Sequence, residues 1–130
     1  MPSIYINGKY LAHYRDKLSR ALLDRFDLVV TVPRARALEL QGGGGESSGP
    51  VRTRVVAARI RLAEARPPRT PAANELLTRA VERLSLSGRG RAKVAAVART
   101  IAALAGSESV LPEHVGEALA YRAPVELSTP

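Results

Sequence analysis

Leu86-Ser87-Gly88-Arg89-Gly90-Arg91-Ala92-Lys93-Val94-Ala95-Ala96-Val97-Ala98-Arg99-Thr100-Ile101-Ala102 is the stretch on which the fold turns. Ser87 is a good N-cap residue, because its hydroxyl accepts from a backbone N–H that the first helical turn leaves without a partner. From there to Ala105, the positions Val94, Val97, Ala98, Ile101 and Ala105 recur at helical spacing and predict one inward face. Gly106 stands where a helix C-terminus favours glycine. A long helix built almost wholly from Ala and Val on its buried side implies close neighbours rather than a deep aromatic pocket.

The flanking sequence supplies those neighbours. Pro112 sits at a first-turn position and opens a helix carrying Val115, Ala118 and Leu119. Upstream, about Ala73 to Leu84 predicts a helix with Leu76, Leu77, Ala80, Val81 and Leu84 inward. Pro67, Pro68 and Pro71 separate it from another helix, about Val51 to Arg66. There, Val51, Val55, Ala58, Leu62 and Ala65 form an apolar stripe, and Val56 with Ile60 a second patch opposite. Arg52, Arg59 and Arg66 flank the stripe on one side, Arg54 and Arg61 on the other. Residues 51–123 therefore read as a four-helix domain, followed by a tail over 124–130.

Before this domain the pattern changes. Residues 33–50 read as a linker with Gly42-Gly43-Gly44-Gly45 at its flexible middle. Residues 15–32 read as a helix to about Arg25, with Leu18, Leu22 and Leu23, and then a strand. In that strand Phe26, Leu28, Val30 and Val32 share one face and Val29 lies on the other, as in a sheet covered on both sides. The rest of the chain offers no comparable strand, so this one reads as the edge of a sheet that is mostly missing. Residues 1–14 read as a leader or a hairpin, on Tyr5-Ile6-Asn7-Gly8-Lys9-Tyr10.

Composition narrows the function classes. The chain has 130 residues, 45% of them hydrophobic, which suits one packed domain and excludes disorder by composition. No Cys is present, so there is no disulfide frame, no thiol nucleophile and no Cys-ligated metal. His13 and His114 are isolated and make no metal site. No apolar run reaches the roughly 18 residues of a membrane span. The first residues lack the basic-then-apolar order of a signal peptide. A soluble cytoplasmic protein without membrane partners is the expectation. The net charge is +8, from 20 Lys and Arg against 12 Asp and Glu. Such a balance is a solvated surface or points to an anionic partner, either nucleic acid or nucleotide phosphates.

Two motifs add a resemblance. Tyr14-Arg15-Asp16-Lys17-Leu18-Ser19-Arg20-Ala21-Leu22-Leu23-Asp24-Arg25-Phe26-Asp27-Leu28 resembles the LLDRFD block of magnesium-chelatase and replicative-helicase AAA+ proteins. The run from Leu86 to Ala102 is similar to the C-terminal lid of the chelatase-like ComM/YifB proteins, a competence-associated AAA+ ATPase family. Glu46-Ser47-Ser48 before Val51-Arg52-Thr53-Arg54-Val55 fits the same family, as does Glu113-His114-Val115 before Glu117-Ala118-Leu119-Ala120-Tyr121-Arg122. The likeness covers about residues 14–123. Ser19-Arg20-Ala21 departs from the family's usual Ser-Gly-Pro.

The resemblance implies a mainly α fold, with a four-helix AAA+ lid preceded by a helix–strand remnant of the AAA+ α/β core. It identifies Arg89 as the sensor-2 arginine, reading the γ-phosphate within its own subunit, with Arg91 as the alternative one position-pair on. It identifies Arg25 as the arginine finger, reaching in trans into a neighbouring subunit's nucleotide. It implies a hexameric ring with the remainder of the AAA+ core, working on DNA by translocation or branch migration. The phosphate loop, the acidic Walker-B strand and the sensor-1 residue have no counterpart here. None of Lys9, Lys17 and Lys93 completes G-x-x-x-x-G-K-[ST]. ATP with Mg²⁺ is therefore expected only in a complete ATPase, with none bound and no hydrolysis by this chain alone.

The same residues admit plainer readings. Arg25 lies between Asp24 and Asp27 and can form a local ion pair. Arg99 is expected to pair with a carboxylate on a neighbouring helix, and His114 to be solvated or to pack. Arg52, Arg59 and Arg66 could track a nucleic-acid backbone, although aromatic residues for base stacking are absent. The alternative function is a small basic helical DNA-binding or docking module with no nucleotide. Leu22-Leu23-Asp24-Arg25-Phe26-Asp27 argues against it, since such a module has no use for that block.

Overall fold

A computed structural model describes Leu22 and residues 25–122. The expected hairpin over 5–10, nearly all of the helix from Arg15 and the tail over 124–130 lie outside the described residues. The elements are α1 (Ala37–Gln41), α2 (Ser48–Glu64), α3 (Pro71–Arg83), α4 (Gly88–Leu104) and α5 (Pro112–Ala120). The molecule is mainly helical, consistent with a helical lid domain, and among the described residues there is no strand.

α4 is the hub. It packs most extensively against α5 and then α2, while α3 lies mainly on α5 and more narrowly on α4. Val94, Ala98 and Ala102 are fully buried and recur every four residues, so they form one continuous stripe. They meet Ala73 and Leu77 of α3 and Val115 and Ala118 of α5 in a single core. Because most of these side chains are methyl or isopropyl groups, the cohesion comes from close approach of the helices.

The ends of α4 are fixed in the way the sequence predicts. The Ser87 hydroxyl accepts from the Gly90 N–H at 3.0 Å. Gly106 takes φ 70°, the left-handed conformation that ends a helix without a Cβ penalty. Two connections also close on each other. Val110 donates to the Pro68 carbonyl at 2.8 Å and its own carbonyl accepts from Thr70 at 3.1 Å, forming a parallel bridge between Arg69 and Val110. This bridge holds Val110 in the core, where it is fully buried.

Several boundaries differ from the sequence reading, each for a local reason. Pro71 starts α3 rather than only stopping the preceding helix, because Thr70 caps it by accepting from the Ala73 N–H at 3.1 Å. α2 starts at Ser48 and ends at Glu64, so Ala65 and Arg66 lie beyond it. The expected linker over 33–50 contains the short helix α1 and the first turn of α2. Leu84 and Ala105, expected inward, are exposed because each caps a helix end where the chain turns away. Residues 26–32 form no strand, and Phe26, Leu28, Val30 and Val32 are exposed, Val32 to 84%, with Val29 half-buried.

Two substitutions test this packing. Leu77→Ala removes a fully buried side chain and is expected to lower stability by about 2–5 kcal/mol in urea unfolding. Ser85 has φ 51°, a region costly for a residue with a Cβ. Ser85→Gly is therefore expected to raise stability by about 0.5–1 kcal/mol, the relief of strain exceeding the entropy glycine adds to the unfolded chain. A neutral Leu77→Ala or a destabilising Ser85→Gly would contradict the respective account.

Candidate nucleotide-sensing arginines

The first turn of α4 carries three features together. Ser87 caps the Gly90 N–H, while those of Gly88 and Arg89 have no intrahelical acceptor by helix geometry. Arg89 stands between two glycines and is exposed. Gly90 is buried, and a Cβ there would meet the Ser87 hydroxyl at 3.4 Å, so the cap and the turn pack tightly beside it. Among the described residues the guanidinium groups of Arg89 and Arg91 have no hydrogen-bond or ion-pair partner. A cation at a helix N-terminus is locally unfavourable, so the fold gains nothing from this placement. An arriving anion would meet the helix dipole, free N–H groups and a planar guanidinium at one point.

Helix geometry separates the two arginines. Arg89 and Lys93 are four residues apart and share a face of α4, whereas Arg91 points elsewhere. Lys93 donates to the Asp27 carboxylate at 2.6 Å, across most of the chain. Two further bonds hold the same segment: the Val29 N–H donates to the Tyr121 carbonyl at 2.7 Å, and Arg122 to the Phe26 carbonyl at 3.0 Å. Arg25 is two residues from Asp27, so its segment is tied to the flank of α4 that also carries Arg89.

The local ion pair considered for Arg25 is not formed with Asp27, whose carboxylate is taken by Lys93. Asp24 lies outside the described residues. Arg25 itself is exposed, and among the described residues its guanidinium has no partner.

The remaining cations divide into two sets. Arg61 donates to the Ala103 carbonyl at 2.7 Å, close to Gly106, and so serves the open C-terminus of α4. Arg99 is structural as expected, but its partner is the Pro67 carbonyl at 3.3 Å rather than a carboxylate. Pro67 is buried in the α2–α3 connection and offers an acceptor that no backbone N–H reaches there. Arg54 pairs with Glu46 through both nitrogens, one contact at 2.8 Å. The hydrogen bonds from Arg54 hold the Glu46 carboxyl below the usual carboxylate range. Arg52, Arg59 and Arg66 are exposed and have no partner among the described residues.

His114 packs rather than being solvated. It is buried, and its Nδ1 accepts from the Leu111 N–H at 2.9 Å, satisfying a donor ahead of α5. Among the described residues no group of three His, Cys, Asp or Glu side chains could hold a metal ion. No described helix is long and apolar enough to cross a membrane.

Residues 64–122, which include the whole of α3, α4 and α5, match the family model for the C-terminal region of magnesium chelatase subunit ChlI. This chain carries a magnesium-chelatase-type C-terminal domain. It is also 35% identical over 134 aligned residues to competence protein ComM of Haemophilus influenzae. That match covers 90% of this chain and 26% of the relative, so the chain spans about a quarter of the relative's length. No solved structure matches significantly. The domain is thus of the type found in ChlI/ComM-like AAA+ proteins.

Sequence reasoning singled out Arg25 and Arg89 as candidates but not the contacts that join their segments. Lys93 registers in the sequence only as a lysine that completes no phosphate loop. Asp27 and Lys93 are 66 positions apart, and nothing in either local pattern pairs them.

If Arg89 serves a ligand rather than the fold, Arg89→Ala in this chain should not destabilise it. Removing a cation from a helix N-terminus is expected to leave stability unchanged or to raise it by about 0.3–1 kcal/mol at low salt. A loss above about 1 kcal/mol in thermal unfolding would make Arg89 a structural residue.

Proposed function

We propose that this domain is the nucleotide-responsive lid of a ring-forming AAA+ ATPase, with Arg89 as its sensor for the γ-phosphate and Arg25 as an arginine finger acting across a subunit boundary. The observation that carries the reading is the Asp27–Lys93 ion pair, which ties the segment of Arg25 to the face of α4 bearing Arg89. Both arginines are exposed and uncommitted among the described residues, while Arg61, Arg99 and Arg54 are committed to internal acceptors.

The chemistry follows from the side chains. A phosphoryl-transfer transition state spreads negative charge over the equatorial oxygens, and a guanidinium meets that charge with a rigid donor fork. Arg89 would bind phosphate oxygens at the N-terminus of α4, where the dipole adds to the attraction. Lid position would then depend on whether the γ-phosphate is present. ATP with Mg²⁺ would be held by the rest of a complete ATPase, whose phosphate loop supplies the cradle that this sequence lacks. The assembly would be a hexameric ring acting on DNA, by translocation or branch migration.

The isolated chain is expected to show no ATPase turnover. Steady turnover by a highly purified sample, abolished by Arg89→Ala, would sink this reading. In a complete ATPase carrying the region, Arg25→Ala should reduce hydrolysis by about 10³-fold or more with nucleotide binding nearly intact. Arg89→Ala should weaken ATP affinity or nucleotide-driven lid motion as well. Mixing Arg25→Ala subunits with phosphate-loop-dead subunits should restore part of the turnover, because one partner supplies the site and the other the finger. Confirmed mixed rings without recovery would remove the trans role.

A further inference from the structure

α2 is a 17-residue helix in which Ala58 alone is buried. Its contact with the domain is made to α4, and Leu62 is only half-buried. Val51 and Val55 on the Ala58 stripe, and Val56 and Ile60 on the opposite patch, are 38–50% exposed. An isolated helix of this length is marginal in water, so apolar side chains held at helical spacing in solvent form a face suited to a cover.

The face is shaped and charged. Val51, Val55 and Val56 line a shallow groove of about 460 Å³ together with Arg52, Arg59, Ser48 and Glu46. Glu46 is already engaged by Arg54. Arg52 and Arg59 are not engaged by anything among the described residues. Of the charged residues lining the groove, Glu46 is thus satisfied, while Arg52 and Arg59 offer two guanidinium groups among the valines.

We propose that this groove docks an acidic, amphipathic helical segment of a partner protein. Its apolar ridge would seat on Val51, Val55 and Val56, and its carboxylates would meet Arg52 and Arg59. Charge complementarity selects this occupant. A second copy of this chain, itself at +8, would bring arginine against arginine across a two-fold contact. A nucleic-acid backbone would satisfy the arginines but leave the valine floor facing phosphate and water. The proposal stands apart from the nucleotide role of Arg25 and Arg89, since it uses neither residue.

The test is a fluorescence-anisotropy titration of the 130-residue chain against a labelled helical peptide of about four turns. The peptide carries Leu at i, i+3, i+4 and i+7 with Glu on both flanks, and a scrambled peptide of the same composition is the control. Saturable binding is expected, at least about tenfold tighter than to the scrambled peptide. Val55→Asp and Arg59→Glu should each weaken it about tenfold or more. Arg66→Glu, an equal change of net charge beyond the end of α2, should leave it within about twofold. Circular dichroism should show unchanged helicity in all three variants, whose altered side chains are exposed. Equal binding of the scrambled peptide, equal weakening by Arg66→Glu, or no saturable binding would overturn the proposal. It would also fall if sedimentation shows self-association that Val55→Asp abolishes. Tighter binding of a mixed-sequence DNA duplex, lost in Arg59→Glu, would replace it with a nucleic-acid surface.

Discussion

The close approach of helices to the Val94, Ala98 and Ala102 stripe is the constraint from which the rest of this domain follows. Side chains this small let two helices and a connection meet around one axis, and dispersion forces reward that closeness only if the helices cannot slide. α4 is therefore held at both ends. Ser87 caps its start, and its finish is fixed by Gly106 and by Arg61 bonding to the Ala103 carbonyl. The bridge between Val110 and the Pro68–Thr70 backbone closes the remaining freedom, binding the α2–α3 connection to the α4–α5 connection.

With the core settled by small apolar groups, the arginines are sorted by what the backbone leaves unsatisfied. Arg61 and Arg99 bond to carbonyls at the end of α4 and in the α2–α3 connection, and both thereby become part of the frame. Arg54 is neutralised locally by Glu46. Arg25, Arg89 and Arg91 receive no such use among the described residues, and Arg89 occupies a place where its charge opposes the helix dipole. The combination of an unfavourable site and an uncommitted side chain is what makes Arg89 the candidate among these cations.

The two sides of the molecule differ in chemistry. The flank where Lys93 holds Asp27 presents cations around a segment whose apolar side chains are largely uncovered. The outer face of α2 presents valines beside Arg52 and Arg59. Apolar groups at regular spacing in water favour association.

The sequence by itself determined the four longer helices, the ends of α4 and most of the core, because these depend on short-range periodicity and on residues next to helix ends. Ser87, Gly106, Leu77 and Val94 follow from spacing of this kind alone. It also identified the candidate arginines, through motifs contiguous along the chain. The tertiary structure decided what no local pattern encodes. It placed Asp27 against Lys93 and gave Arg99 a carbonyl in place of a carboxylate. It made Pro71 a beginning instead of an end, through Thr70, and it left the α2 valines exposed that the pattern would bury. A hydrophobic stripe states only that a face can be covered. Whether it is covered depends on which helices the chain brings against it, and along α2 only Ala58 is buried.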